Sequence, residues 1–310
     1  MKKRGVVAGI KSYIARLNEE MRFSTAKSYR DALNSLVGYC GTEDIPYGFM
    51  NKKNLRRYEA YLAVKSCSRN TISTYMRRLR YIYNRAVENG EAQFIPNLFR
   101  DVFTGVESRC KKSLSIEEQH KLMTIPLKDE RLRQTQLAVC LMFQYGGMAF
   151  VDFAHLKANN IQKKVLDYKR QKTGTPMRLE ILKTAETMRE ELVKKAEDVG
   201  KYLYPFLSGK REGLAEYKEY NMALARFNRN LRSLGKAVGL ESKITSYSIR
   251  HSFAMALKER EVPIEMISEL LGHKSIKTTQ IYLRSFSMDK QTAVNYACFE
   301  SVYNFSPKAG

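Results

Sequence analysis

Apolar residues recur at three- and four-residue spacing along almost all of this 310-residue chain, and only between residues 161 and 182 does the period fall to two. A chain patterned in this way folds mainly as packed α-helices with one small β-hairpin or sheet. Residues 9–90 hold no convincing strand. One helix is expected to start near Ser24, as N-cap, and to continue through Tyr29, Ala32, Leu33, Leu36 and Val37 until Gly41, Pro46 and Gly48 break the pattern. A second, over 51–64, carries Leu55, Tyr58, Tyr61 and Leu62. A third starts after Ser68 and runs through Ile72, Tyr75, Leu79, Ile82, Tyr83 and Val87 to a stop at Asn89-Gly90. Residues 91–112, with Pro96, Gly105, Lys111 and Lys112, keep no period and read as a linker. Ser115 with Glu118 makes a capping box at the start of the second domain. The chain is therefore read as two domains, 1–108 and 109–310. In the second, helices are expected at about 115–124 and 130–146. Strands Val165–Arg170 and Met177–Ile181 come next, joined by a turn from Lys172 to Pro176. Further helices are expected at about 183–198, 216–238, 245–260, 263–271, 276–285 and 289–299.

The net charge of +22 is spread over both halves, with 20 Lys/Arg against 10 Asp/Glu in residues 1–110 and 34 against 22 in the remainder. No single basic tail explains it, so the expected partner is nucleic acid rather than a membrane surface. The helix after Ser68 concentrates the effect. Arg69, Arg77, Arg78, Arg80 and Arg85 are expected on the face opposite its apolar stripe, with no acidic residue until Glu88, whereas an ordinary solvated helix mixes both signs. These five are the candidate DNA-phosphate contacts. The five cysteines are scattered, with no CxxC pair, which suggests neither a disulfide framework nor a zinc site and fits a reducing cytoplasm. The apolar stretch after Met1–Arg4 is broken by Lys11, too short for a secretory signal, and no run approaches a membrane span. With four histidines and no HExxH motif, nothing marks a metal enzyme, and no cofactor is expected.

One ordered run carries chemistry: Tyr247-Ser248-Ile249-Arg250-His251, then Leu271-Gly272-His273, then Thr278-Thr279-Gln280-Ile281-Tyr282. Arg250 falls in the opening turns of a helix that buries Ile249, Phe253, Ala256 and Leu257. There its planar fork and the helix dipole both favour a phosphate. Gly272 ends a short helix and permits the left-handed turn that would hold His273 on a fixed corner. Tyr282, nine residues after His273, is a nucleophile candidate. A phenol with its ordinary pKa of about 10 needs cationic neighbours to act near neutrality. Lys172, in Lys-Thr-Gly at the hairpin tip, is positioned to protonate a leaving oxygen. Taken singly, each of these residues has an ordinary structural reading: a carboxylate-paired arginine, a capping histidine, a core tyrosine, a turn lysine.

In this order and spacing they resemble the tyrosine recombinases, or phage-type integrases, and the resemblance extends over nearly the whole chain. It implies a helical, SAM-like core-binding domain followed by a mostly α catalytic domain. It also implies a mechanism in which Tyr282 attacks the scissile phosphate and forms a 3′-phosphotyrosyl link without metal or ATP. Catalytic roles carry over to Tyr282, Arg250, His273, Lys172, Tyr247 and Asp152. The implied partner is double-stranded DNA with short inverted-repeat sites. The protein would be a homotetramer in the synaptic complex, a monomer in free solution, and cytoplasmic at the nucleoid. In Gly-Met-Ala-Phe-Val-Asp, residues 147–152, the family usually has an arginine where this chain has Ala149, and often a histidine where it has Tyr247. A branch common among integrases and invertases of Bacteroides-type bacteria shares both departures. Either another cation substitutes or the enzyme is slow. Arg170, at i−2 from Lys172, and Arg178 on the opposing strand are at hand, and the pattern singles out neither. The apolar tail after Tyr282, including Phe286, Tyr296, Phe299 and Phe305, is expected to dock on a neighbouring subunit in the DNA complex. The implied biology is inversion or resolution of a DNA segment, or integration of a mobile element. A catalytically inactive DNA-binding regulator on the same fold and a relaxing enzyme of the type IB topoisomerase kind are the alternatives.

Overall fold

The computed structural model describes residues 5–107, 113–194, 200–283, 292 and 295–300, with the side chains of Ile281 and Tyr282 excepted. The chain divides into two compact units, one of residues 1–109 with 211–218 and one of the remainder.

The first unit is helical: α1 (Val6–Glu19), α2 (Phe23–Cys40), α3 (Lys52–Val64) and α4 (Arg69–Glu88). Each helix turns one apolar stripe inward, and Ile10, Leu17, Leu36, Leu55, Tyr58, Met76 and Leu79 form the centre of a shared core. Ser68 caps α4 by accepting from the Thr71 N–H at 3.2 Å. Ser24 does not cap α2. The helix begins at Phe23 with Arg22 as N-cap and no capping side chain, so Ser24 sits within the first turn. The stretch expected as linker is also partly structural. Leu98, Phe99 and Val102 are buried in the same core. The Asn70 side chain bonds both the N–H and the C=O of Glu107, at 2.9 and 2.8 Å. The polar pins and buried side chains hold this segment without any regular period.

The second unit opens with α5 (Ile116–Thr124), α6 (Glu130–Gln144) and α7 (Phe150–Ala154). Ser115 and Glu118 cap α5 reciprocally, at 2.8 and 3.1 Å. Residues 137–142 of α6 are all buried, which makes it the central helix of this core. Strands β1 (Ile161–Gln162), β2 (Val165–Lys169) and β3 (Pro176–Glu180) form an antiparallel sheet in that order, with Leu166 opposite Leu179 and Tyr168 opposite Met177. Leu166 and Tyr168 are buried while Asp167 and Lys169 face out, the alternation of a half-buried strand. Then come α8 (Lys183–Val193), α9 (Gly213–Ala237), α10 (Ser246–Glu259), α11 (Ile264–Leu270) and α12 (Ile276–Tyr282). No described helix is long and apolar enough to cross a membrane. Most of the expected tail after Leu283 lies outside the described residues. Of the part described, 295–300 is helical, with Tyr296 and Phe299 exposed.

Candidate active site

Three turns of the second unit build the site: two supply carbonyl acceptors and the third supplies donors. The first comes after α6, where Gly146 and Gly147 both take left-handed backbone angles, φ 71° and 64°. A Cβ on Gly147 would come within 3.0 Å of the Phe253 side chain, so only glycine lets α10 pack there. The second is the turn leaving α11. Gly272, φ 60°, donates to Glu269 O at 2.7 Å, and His273 N–H donates to Ser268 O at 2.9 Å. This pair of bonds is the left-handed helix stop predicted from Gly272. The third is the hairpin turn after β2, closed by Arg170 N–H to Thr175 O at 2.9 Å and Gly174 N–H to Arg170 O at 2.8 Å.

Arg250, in the second turn of α10, is 3% exposed. Its Nη1 donates to Gly147 O at 2.9 Å, and its Nη2 donates to Leu271 O and lies 3.3 Å from His273 Nε2. The guanidinium thus ties the first turn to the second. Arg170 reaches the same place from the hairpin. Its Nη1 donates to Leu271 O at 3.1 Å and Gly272 O at 2.8 Å, so the two guanidiniums share one carbonyl oxygen. Arg170 Nε lies 3.5 Å from Asp152 Oδ2, a pair whose side chains are 9% and 1% exposed. The other oxygen, Asp152 Oδ1, accepts from the Gln171 N–H at 2.8 Å. Asp152 therefore anchors the hairpin base and balances one of the two cations. Arg170 Nε makes no hydrogen bond among the described residues, so the donors of that fork are not all spent on the protein.

Sequence reasoning did not single out Arg170. Its i, i+2 relation to Lys172 implied a shared strand face, but β2 ends at Lys169, and the turn, not the pleat, aims the Arg170 side chain inward. The fact that could have flagged it is the missing cation at Ala149, which is half-buried at the N-cap of α7.

His273 completes the cluster. Its Nδ1 lies 2.9 Å from Oγ1 of the fully buried Thr279. Burial, then the charges of Arg250 and Arg170, lower its pKa from 6.5 to about 4. The ring is therefore neutral at pH 7. The unfolded chain protonates this histidine below about 6.5 and the folded chain resists until about 4. The stability His273 contributes is thus present above 6.5 and lost as pH falls through that window. An NMR titration of the His273 Cε1–H, assigned by its absence in His273→Gln, is expected to show a midpoint below 5. A midpoint near 6.5 would contradict the buried, cation-flanked setting.

Lys172 is exposed in the hairpin turn. Tyr247, one turn before Arg250 on α10, is 38% exposed. Tyr282 closes α12, one turn after Thr279, and its side chain lies outside the described residues. In the first unit the five candidate arginines of α4 do not form one face. At 3.6 residues per turn, Arg69, Arg77 and Arg80 share a side, and Arg78 and Arg85 lie roughly opposite. Arg78 donates to Ser28 Oγ at 3.1 Å and sits over the Tyr29 ring at 4.8 Å; Arg85 sits 5.4 Å over Tyr13. Arg69 stacks at 4.4 Å on Phe103, while Arg77 and Arg80 are exposed.

Two guanidiniums thus share a carbonyl beside a neutral histidine, and a tyrosine ends the next helix. The sequence profile of the phage integrase family matches residues 112–288, and that of the phage integrase SAM-like domain matches residues 6–96. The chain belongs to the phage integrase family and is a tyrosine-type site-specific DNA recombinase. Tyrosine recombinase XerA of Pyrococcus furiosus is 28% identical over 244 residues, 78% of this chain and 79% of that one. Among solved structures, the integrase of transposon Tn1549 in complex with transposon right-end DNA has the same fold. Its TM-score is 0.67 at 12% identity, with 95% of this chain and 99% of that chain covered. A lambda integrase tetramer bound to a Holliday junction aligns with a TM-score of 0.64 at 17% identity, over 89% and 79% of the two chains.

Proposed function

We propose that the chain recombines double-stranded DNA at short inverted-repeat sites, with Tyr282 as nucleophile and Arg250 and Arg170 as the two phosphate-gripping arginines. The observation that best supports this reading is the shared carbonyl of Leu271, which holds both guanidiniums beside His273. Bonds to a neutral carbonyl are weaker than bonds to an anionic oxygen, so a scissile phosphate entering the cluster trades up. The Tyr282 oxygen then gives up its phenol proton to water and forms a bond to phosphorus, and the bond to the 5′ oxygen breaks. Lys172, carried on the hairpin turn, protonates the leaving oxygen. The two arginines hold the non-bridging oxygens as charge builds in the pentavalent state. The 3′-phosphotyrosyl link keeps the bond energy. A partner strand's 5′-hydroxyl reverses the step, and neither nucleotide nor metal enters the balance.

Arg69, Arg77 and Arg80 track the DNA backbone, and Arg78 and Arg85 are fixed by tyrosines at its margin. Four copies act together in the synaptic complex, as the lambda integrase tetramer does on its junction, and the free protein is a monomer. The reaction serves inversion or integration of a DNA segment in the cytoplasm, at the nucleoid. The competing regulator reading drew its support from Ala149, and Arg170 weakens that support.

The test is a nicked suicide substrate built from the inverted repeats beside the gene, then a denaturing gel and mapping of the cross-linked peptide. The expected result is a covalent adduct on the peptide that contains Tyr282. Binding without an adduct would favour the regulator, and an adduct on another residue would overturn the site assignment.

A further inference from the structure

The second unit carries a charge cluster that the cleavage chemistry does not use. A cleft of about 600 Å³ opens between the C-terminal half of α9 and the loop that follows, and Arg229, Arg232, Lys236 and Lys243 line it. At 3.6 residues per turn, Arg229, Arg232 and Lys236 fall within about 60° of one another, on the side of α9 away from the buried Phe227, Leu231 and Leu234. Lys243 joins them from the loop. All four are exposed, and none is ion-paired or hydrogen-bonded through its side chain to a described residue. Arg133 on α6, by contrast, is held through two bonds of 2.8 Å by Glu191. Glu241 is the one carboxylate in the lining, against four cations. Arg229 with Arg232, and Arg232 with Lys236, are like charges at i, i+3 and i, i+4, an arrangement that weakens a helix unless an anion lies between them. A cation in the last turn complements the helix dipole, which accounts for Lys236. The dipole's effect falls off within that turn, so it accounts neither for Arg229, two turns earlier, nor for Lys243 beyond the helix.

The cleft is also tied to the site. Asn228 Oδ1 accepts from the Ser246 N–H at 2.8 Å, at the first residue of α10. Arg250 stands four residues further on, about 6 Å along the axis. Arg229 to Lys236 spans about 10 Å, the axial length of about three phosphates on one DNA strand.

We propose that this cleft binds the DNA backbone at phosphates flanking the one that is cut, as an anchor of the second unit itself, separate from the arginines of α4. The inference rests on the recombinase reading above, and it assigns Arg229, Arg232, Lys236 and Lys243 to holding DNA rather than to chemistry. Contacts to phosphate oxygens carry no base information, so the anchor strengthens every sequence alike. Asn228 keeps it at a fixed distance from Arg250, and a backbone seated in the cleft presents its next phosphates to the site in register.

The test compares two pairs of substitutions. Arg232→Gln/Lys236→Gln removes two charges from the cleft, and Lys128→Gln/Lys183→Gln removes two exposed charges elsewhere in the second unit, so net charge falls equally. Equilibrium binding of the full chain to duplex DNA is followed over a range of salt concentrations. The cleft pair is expected to bind about tenfold more weakly at ~0.1 M salt, alike on the recombination site and on unrelated DNA. Its plot of log affinity against log salt should flatten by about 2, roughly one for each phosphate contact. The control pair should lose less than half as much in both. Adduct formation at saturating DNA should stay within about threefold of wild type, because uniform binding is lost and Arg250 and Arg170 are untouched. Arg229→Gln/Lys243→Gln, which leaves Lys236 at the helix end, must give the same result and decides the matter if the first pair does not fold. Equal losses from cleft and control pairs would overturn the proposal, since diffuse net charge would then explain both. Binding is read without cleavage, so the two readings fail separately. A wild type that binds its site and forms no adduct sinks the recombinase mechanism and leaves the cleft's hold on DNA standing. A normal wild-type adduct with an unchanged salt slope in the cleft variants sinks the anchor alone.

Discussion

Arg170→Ala is expected to slow covalent adduct formation by about 10²–10³, the usual cost of removing one group that stabilises transition-state charge. The reason lies in charge placement. With Ala149 where the family usually has an arginine, Arg250 alone would face the two non-bridging oxygens. Arg170 is the only other cation bonded to the Leu271–Gly272 turn among the described residues. Arg170→Lys is expected to recover little of the rate. An ammonium is a point charge and cannot bond two carbonyls, lie against Asp152 and still offer a donor to phosphate. Stability is the confounding effect, because Asp152, 1% exposed at its side chain, would lose its counter-charge. Removing one member of a buried pair costs about 3–5 kcal/mol. The double variant Arg170→Ala/Asp152→Asn removes both charges and should recover much of the stability but none of the rate. If the double variant folds and cleaves like wild type, Arg170 is a structural residue and the second phosphate grip lies elsewhere. DNA affinity, measured beside the rate, is expected to change little, since one buried phosphate contact is few among many.

How far the sequence is legible depends on how local each signal is. Helices announced themselves by their 3.6 period, and two of their starts by caps, because Ser68 and the Ser115–Glu118 box act within four residues of themselves. Ser24 misled because a serine within the first turn has the same composition cue as one at the N-cap; only the backbone angle of Arg22 separates them. Strand β1 is two residues long, below any periodic signal. The arginines of α4 were read as one face because charge runs were counted rather than rotated. Tyr13 and Tyr29, distant in sequence, are what claim Arg85 and Arg78. The candidate site divides in the same way. Arg250, Gly272 and His273 could be read because their spacing within a short segment is itself the geometry. Arg170 could not, because its role depends on where one strand ends and on carbonyls about a hundred residues away. Thr279 could not either, since its bond runs to a ring six residues back, across a turn.

Gly272→Ala is expected to damage stability and catalysis together, and the coupling between the two is what makes it informative. At φ 60° an L-residue costs about 1–2 kcal/mol in the backbone alone. Space makes it worse: the added Cβ would overlap Met177 Sδ on β3 and lie 2.8 Å from Arg170 Cδ. Met177 Sδ lies near the end of a flexible side chain and can shift, but Arg170 cannot retreat cheaply, because it is held by two carbonyls and lies against Asp152. The methyl therefore pushes the hairpin off the α11 turn and carries Arg170 away from the carbonyl it shares with Arg250. Adduct formation is expected to fall by about 10² or more, as far as displacement alone can take it. The melting temperature should fall in the same variant. The decisive comparison is with Gly174→Ala, at the hairpin tip, where φ is 66° but nothing lies within 4 Å of the new Cβ. That variant carries the backbone penalty without the clash, so it should lose stability while keeping most of its rate. Equal rates for the two variants would show that contact between the hairpin and the histidine turn does not set the position of Arg170.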